Sequence, residues 1–411
     1  MPAHDPSGTK AYAKLSDYYA DQEVFPTYSR FRSLDGLEAH DDERRRVFTE
    51  KLYLPPRAFR GARLLEFGPD TGENALVFAR WGAQCTLVEP NTNAHPTIRD
   101  YFARFGLTDR LTAIVESDLE GFSSRPESSA TYDIIVAEGF IYTVKPNSTW
   151  IQLFARLLGE DGYAVFSFYD PTSCFMELML KVIHATACRW SGMSRADTAR
   201  TLFAAKWNGI GHRRTVDSWI MDVLENPFVR LEYFIDSRAL CRSMHDAGVT
   251  LYAAWPPYAD GLDIHWFKKT RSAAERLESQ ERFITRSLLG HLFGRPIFIV
   301  DERLKLDGPL SELLRLTDEL ISEFDEGRAA RCGALLSELE PILGSSQVMA
   351  SPEDRACAVD LTRSSRTILD LLKRRTFDQL TSFCNSDRAF VRDWGVPNHY
   401  AVFTKPGTPN S

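Results

Sequence analysis

The stretch Arg63-Leu64-Leu65-Glu66-Phe67-Gly68-Pro69-Asp70-Thr71-Gly72-Glu73-Asn74-Ala75-Leu76 reads as a buried strand, a glycine turn and a helix start in one run. Leu64, Leu65 and Phe67 make a short apolar strand, Gly68 and Gly72 allow the backbone close approach to a ligand, and the sequence from Glu73 onward has helical composition. A dinucleotide fingerprint spaces its glycines G-x-G-x-x-G so that helix amides meet a pyrophosphate. Here the spacing is G-x-x-x-G, with the carboxylate of Glu66 just ahead of the first glycine. An anion at that point repels phosphate and suits a cationic ligand, such as one carrying an ammonium and a sulfonium. The next strand, Gln84-Cys85-Thr86-Leu87-Val88-Glu89, also ends in a carboxylate, where an open parallel sheet grips a ribose diol. Glu89 follows Glu66 at the roughly twenty-residue interval expected of successive strand ends.

Four stretches then fall in order: Leu64 to Leu76, Val88-Glu89-Pro90-Asn91, Glu116-Ser117-Asp118-Leu119 and Tyr132-Asp133-Ile134-Ile135-Val136-Ala137-Glu138-Gly139. Each ends a predicted strand, and together they resemble successive motifs of the class I, Rossmann-like S-adenosylmethionine-dependent methyltransferases. The resemblance covers Gly61 to Phe168, extends more weakly to Lys268 and leaves the C-terminal third unmatched. It implies S-adenosyl-L-methionine as cofactor. Glu66 would face the methionine ammonium through the loop or water, Gly68 and Gly72 would admit the backbone, and Glu89 would hold the ribose hydroxyls. Asp118 would accept from the adenine amino group while Leu119 offers its backbone amide; Asp70 and Pro90 join the cofactor set as members of the same motifs.

The chain alternates strand and helix from Arg63 to Phe168, the pattern of an α/β, doubly wound, mostly parallel sheet. Before it, residues 1–56 are expected to form a helical cap, with Tyr18, Tyr19 and Tyr28 as candidates to shield the cofactor or, more simply, as packing aromatics. Residues 57–270 are expected to hold the cofactor-binding domain, with an insertion at 169–233 serving as a lid. Two stretches compete for the seventh strand. Ile264-His265-Trp266-Phe267-Lys268 is preferred over Asn398 to Lys405, because it closely follows its partner Thr250 to Trp255 and sequential strands commonly pair. Residues 271–411 are read as a mainly helical module. Its apolar stripe at Leu310, Leu313, Leu314, Leu320, Ile321 and Phe324 buries against the catalytic domain or in a homodimer, and Ser351-Pro352-Glu353-Asp354 starts a helix.

With 411 residues, 44% of them hydrophobic, the chain has ample material for a core and an appended module. A net charge of −7 leaves no basic footprint for nucleic acid. The short runs Arg44-Arg45-Arg46, Arg213-Arg214 and Lys373-Arg374-Arg375 have acids nearby and read as solvated faces. No segment approaches a membrane span and the N-terminus lacks a secretory core, so a cytoplasmic protein is expected. The seven cysteines include no C-x-x-C pair, His4, His40, His95 and His184 lack further ligands at metal spacing, and G-K-[ST] is missing after Gly68; neither a metal nor nucleotide triphosphatase chemistry is expected.

Methyl transfer from a sulfonium is an in-line displacement that asks the protein chiefly to bind, aim and exclude water. Glu138 follows the fourth motif, where acceptors bind, and is the first candidate for substrate contact, with Phe140 and Tyr142 just after it. A hydroxyl acceptor gains from a base near neutral pKa, for which His212 and His265 are the candidates. Ala137-Glu138-Gly139-Phe140 departs from the polar-Pro-aromatic pattern of amine-methylating relatives, which favours oxygen. The expected function is thus methylation of a small or medium-sized metabolite, such as a hydroxyl of a glycan unit or secondary metabolite. The alternative is a cofactor-binding regulatory or assembly protein without methyl transfer.

Overall fold

A computed structural model of the chain describes residues 12–21, 34–210, 215–261, 271–299, 308, 312, 315, 316, 318, 319 and 329–407. Seven strands, β1 (Arg63–Phe67), β2 (Gln84–Val88), β3 (Leu111–Val115), β4 (Tyr132–Ala137), β5 (Leu158–Tyr169), β6 (Thr250–Trp255) and β7 (Asn398–Thr404), form one sheet in the order β3-β2-β1-β4-β5-β7-β6. The first five are parallel, and β7 runs antiparallel to both β5 and β6. This is the seven-stranded class I methyltransferase sheet. Its inner strands read as near-continuous apolar runs because helices cover both faces, and Leu64, Leu65, Ile135 and Val136 are fully buried.

The seventh strand corrects the sequence expectation. The slot between β5 and β6 is filled by Asn398–Thr404, from near the end of the chain, while Ile264 to Lys268 lies outside the described residues. Adjacency in sequence favours a hairpin, but a strand flanked on both sides must be apolar on both faces. Ala401, Val402 and Phe403 meet that demand with no exposure. Lys405 then reaches back, its Nζ donating to the carbonyls of Ala155 at 3.1 Å and Leu158 at 3.2 Å. The division drawn after residue 270 therefore does not mark the end of the sheet.

The insertion and the C-terminal helices share one apolar core. It joins Met176, Leu180 and Ile183 of the helix Phe175–Ala187 to Leu292 and Phe293 of Ala273–Phe293 and to Leu361, Ile368 and Leu372 of Pro352–Arg374. Ser351 caps the last of these as the sequence predicts, accepting from the Asp354 amide at 3.1 Å with Pro352 in the first turn. The stripe residues Leu310, Leu313, Leu314, Leu320, Ile321 and Phe324 all lie outside the described residues.

Lys206, fully buried in the insertion, tightens this union: its Nζ donates to the carbonyl oxygens of Phe390 and Asp393 and lies 4.4 Å from the Trp394 ring centroid. Ahead of the sheet, the helix Leu34–Arg46 packs Leu37, His40, Asp41 and Arg44 inward, and the short helix Leu15–Ala20 lies near the carboxyl ends of the strands.

Candidate active site

A cavity of about 580 Å³ opens at the carboxyl ends of β1 to β5. One half of its wall comes from the turns after β1, β2 and β3. Gly68, Asp70, Glu89, Pro90, Asp118 and Leu119, all expected at the cofactor, line it together with Glu138. Gly68 sits at φ 63°, and a Cβ there would stand 2.9 Å from the Phe140 ring, so this turn admits no side chain without displacing that ring. Gly72 is not part of the wall; at φ 90° it leads into the helix Glu73–Arg80, where a Cβ would come 3.1 Å from Ile98.

Glu66, on β1 two residues before Gly68, is not part of the wall: it is 2% exposed, and its Oε2 is buried with no hydrogen-bond partner among the described residues. Burial, seconded by the nearby Glu138 and opposed by Arg44, pushes its carboxyl up to about 8. An orphaned buried carboxylate is costly unless a cation or donor reaches it. Glu89 is 6% exposed and holds the turns together: Oε2 accepts from the Asp70 amide at 3.0 Å and Oε1 from the Asn91 amide at 2.8 Å. Burial lifts it to about 7 against the pull of those amides. Each oxygen keeps a further lone-pair site for a diol. Asp118 Oδ1 accepts from the Gly121 amide at 2.7 Å, and its Oδ2 pairs with Lys14 Nζ at 2.6 Å; that lysine contact holds its carboxyl below the usual range.

Glu138 is positioned as expected but is already engaged. Arg44 donates through both terminal nitrogens to its two oxygens, Nη1 to Oε2 at 2.8 Å, and the Tyr400 hydroxyl donates to Oε2 at 3.1 Å. It therefore works as half of a buried ion pair rather than as an open base. Arg44 itself corrects the reading of Arg44-Arg45-Arg46 as a solvated run: it is 6% exposed, with its guanidinium 4.7 Å from the Phe48 ring centroid. The signal was the spacing of Leu37, Asp41, Arg44 and Phe48, which share one helix face.

The other half of the wall is aromatic. Phe140, Tyr142, Tyr169, Phe228 and Tyr233 line it with Tyr19, Lys145, Asp222 and Asn398. Tyr19 donates to Asp222 Oδ1, while Tyr18 lies outside the wall and donates to the Met221 carbonyl at 2.7 Å. Lys145 Nζ contacts the Phe234 carbonyl and Asn147 Oδ1, both at 3.3 Å, and burial lowers it to about 8. His212, His265 and Tyr28 lie outside the described residues. Sequence reasoning missed Lys14, Lys145, Tyr169, Asp222, Asn398 and Tyr400, none of which stands in a recognisable motif.

The residues of the first half fit S-adenosylmethionine: a buried carboxylate with one oxygen lacking a partner among the described residues, for a cation, an acid whose oxygens keep further lone-pair sites for a diol, and a turn without a side chain. The fold and this site define a class I methyltransferase. A family described as a methyltransferase domain matches residues 39–254, more than half of the chain. The chain belongs to that family, whose cofactor is S-adenosylmethionine.

No curated protein matches the chain. Among solved structures, it is similar to PKMT2 from Rickettsia typhi in complex with AdoHcy, at 14% identity and a TM-score of 0.39, covering 58% of this chain and 49% of that one. It is also similar to the [4+2]-cyclase SpnF, at 14% identity and a TM-score of 0.36 over 90% and 83% of the two chains. A third is the glycopeptide N-methyltransferase MtfA complexed with sinefungin, at 18% identity and a TM-score of 0.26 over 32% and 54%. The chain thus spans about half the length of PKMT2.

Proposed function

We propose that the protein is an S-adenosylmethionine-dependent methyltransferase that acts on a small or medium-sized metabolite. The observation that carries this reading is Glu66, a buried carboxylate two residues before Gly68 whose Oε2 has no partner among the described residues, in a chain that belongs to a methyltransferase-domain family. When bound, the cofactor supplies an activated methyl group on a sulfonium. Glu66 offers negative charge to the cationic end of such a ligand, Glu89 offers acceptors to its hydroxyls, and Asp118 offers an acceptor to a ring amine by exchanging Lys14. Arg44 pairs with Glu138, so that a second carboxylate stands in the cavity wall held in place by its partner.

The sequence favours a hydroxyl of a glycan unit or secondary metabolite as acceptor, with His212 or His265 as base; both histidines lie outside the described residues. The size of the cavity and its aromatic half support an acceptor of metabolite dimensions rather than a flat surface for a macromolecule.

Calorimetric titration of the purified protein with S-adenosylmethionine, its demethylated product and NADH tests the reading. Binding of the sulfonium pair without NADH is the expected result. Binding of NADH alone, or of none of the three, overturns it.

A further inference from the structure

Resting on the methyl-transfer reading above, we propose that Lys145 is the general base of the reaction and that the acceptor is the hydroxyl of a phenol. Lys145 stands between β4 and the helix Asn147–Leu157 and lines the cavity with Tyr142, Tyr169, Phe228 and Tyr233. Its Nζ is loosely held: Asn147 Oδ1 and the Phe234 carbonyl each accept from it at 3.3 Å, just beyond the usual hydrogen-bond range. No carboxylate pairs with it among the described residues. Two acceptors match the two N–H groups of a neutral amine and leave its lone pair over, whereas an ammonium has a third N–H to satisfy. Burial, with no charge offsetting it, lowers Lys145 to about 8, so the neutral amine is accessible near neutral pH.

The other titratable groups on this side are engaged or protonated. Asp222 receives the Tyr19 hydroxyl. Burial raises Tyr19, Tyr142, Tyr169 and Tyr233 above the ordinary phenol value, so none of them takes a proton near neutral pH. On the segment around Phe234, Asp236 pairs with Arg238 at 2.9 Å and Glu232 lies 3.7 Å from Arg230. A lysine could instead hold an anionic group of the acceptor, but the cavity is lined by seven acidic side chains and two lysines, a balance that repels an anion. A base at about 8 is matched to a phenol at ~10 and falls far short of an aliphatic hydroxyl, close to water at ~15.7. The wall also suits an aromatic ring: Tyr142 and Tyr169 meet edge to face with centroids 4.8 Å apart, and the Phe228 and Tyr233 centroids lie 5.1 Å apart. The Lys145 lone pair takes the phenol proton, and the freed oxygen pair forms the O–C bond to the methyl group while the C–S bond breaks and its electron pair stays on sulfur. The ammonium of Lys145 then returns its proton to water. The product is an aryl methyl ether.

The test uses the full-length protein, saturating S-adenosylmethionine and two probes, phenol and the far more acidic 4-nitrophenol, with formation of S-adenosylhomocysteine as readout. The rate with phenol is expected to rise with pH and level off above about 8, as Lys145 loses its proton. Lys145→Met is expected to slow phenol at least about 100-fold and 4-nitrophenol, largely ionised already at pH 8, less than about 10-fold. Its rising limb is expected to move up to the ionisation of phenol itself. Lys145→Arg keeps a charge but offers no lone pair near neutral pH, and is expected to fail with phenol as Lys145→Met does. Affinity for S-adenosylmethionine, measured by calorimetry, is expected to be the same in all three proteins, which also checks that the variants fold. A phenol rate that survives Lys145→Met overturns the proposal and returns the role to His212 or His265. Equal losses with both phenols, or recovery by Lys145→Arg, overturn it too, since the first marks a structural role and the second a role for charge alone. Binding of S-adenosylmethionine with neither phenol methylated overturns the proposal and leaves the methyl-transfer reading standing. Failure of the unaltered protein to bind S-adenosylmethionine overturns that reading itself, so the two failures are distinguishable.

Discussion

The two halves of the cavity are built on different principles. The half we assign to the cofactor is made by three consecutive turns, each following a strand of the parallel sheet, and its lining there runs from Phe67 to Glu120. It is acidic, and its polar contacts run largely to the backbone amides of neighbouring turns, as Glu89 shows with Asp70 and Asn91. The half we assign to the acceptor draws on the helix Leu15–Ala20, the loop after β4, the end of β5, the Ile220–Glu225 turn and β7. Tyr19 and Asp222, which bond each other there, are 203 residues apart in the chain. A cofactor of fixed shape can be specified by local turns, whereas an acceptor pocket is assembled by whatever the tertiary structure folds over the strand ends.

The most severe way to break this division is to delete residues 397–411. That removes β7 from between β5 and β6, takes Asn398 and Tyr400 from the acceptor side and leaves the inner edges of two strands unpaired. Loss of cooperative unfolding by circular dichroism is expected; a folded truncation that still binds S-adenosylhomocysteine would show the cofactor half to be self-sufficient.

Arg44→Ala acts at the seam between the halves. It strands Glu138, whose side chain is 10% exposed, and removes a cation that opposes protonation of Glu66. Breaking a buried pair in this way costs about 3–5 kcal/mol, read from denaturant midpoints. A loss under about 1 kcal/mol would mean that the pair adds little to the folded state.

Glu89→Ala confines the damage to the cofactor half. Calorimetry is expected to show S-adenosylhomocysteine affinity weakened by about 1–3 kcal/mol. Unchanged affinity would remove Glu89 from the site.

The smallest effect is a proton count. Glu66 and Glu89 titrate in the folded protein at about 8 and about 7, above the ordinary value of 4.5. The ligand-free folded state therefore binds more protons than the unfolded chain in that window, and stability falls as pH rises through it. Cofactor contacts that favour the ionised carboxylates release those protons. Titrations at pH 7 in buffers of different ionisation enthalpy are expected to show proton release on binding S-adenosylmethionine; proton uptake would sink this assignment of the two acids.

The strand-end turns that we assign to the cofactor were legible because their information is local. Glu66, Gly68, Glu89 and Asp118 each stand at a strand end that the hydrophobic pattern locates by itself, and the apolar runs around Leu65 and Ile135 require a sheet buried on both faces. Glu138 was legible in position but not in role, since its partners Arg44 and Tyr400 lie 94 and 262 residues away. The apolar faces of the C-terminal helices marked them as buried without saying against what, and only folding showed that they share a core with the insertion.

The sequence by itself thus determined the sheet of parallel strands and the acidic turns at their ends, because period-two and glycine signals act over a few residues. Only the tertiary structure decided that the seventh strand comes from Asn398–Thr404, that Arg44 closes on Glu138, and that Asp222 stands among tyrosines. Those outcomes depend on which apolar faces and charges find one another across the whole chain, and no local pattern encodes that choice.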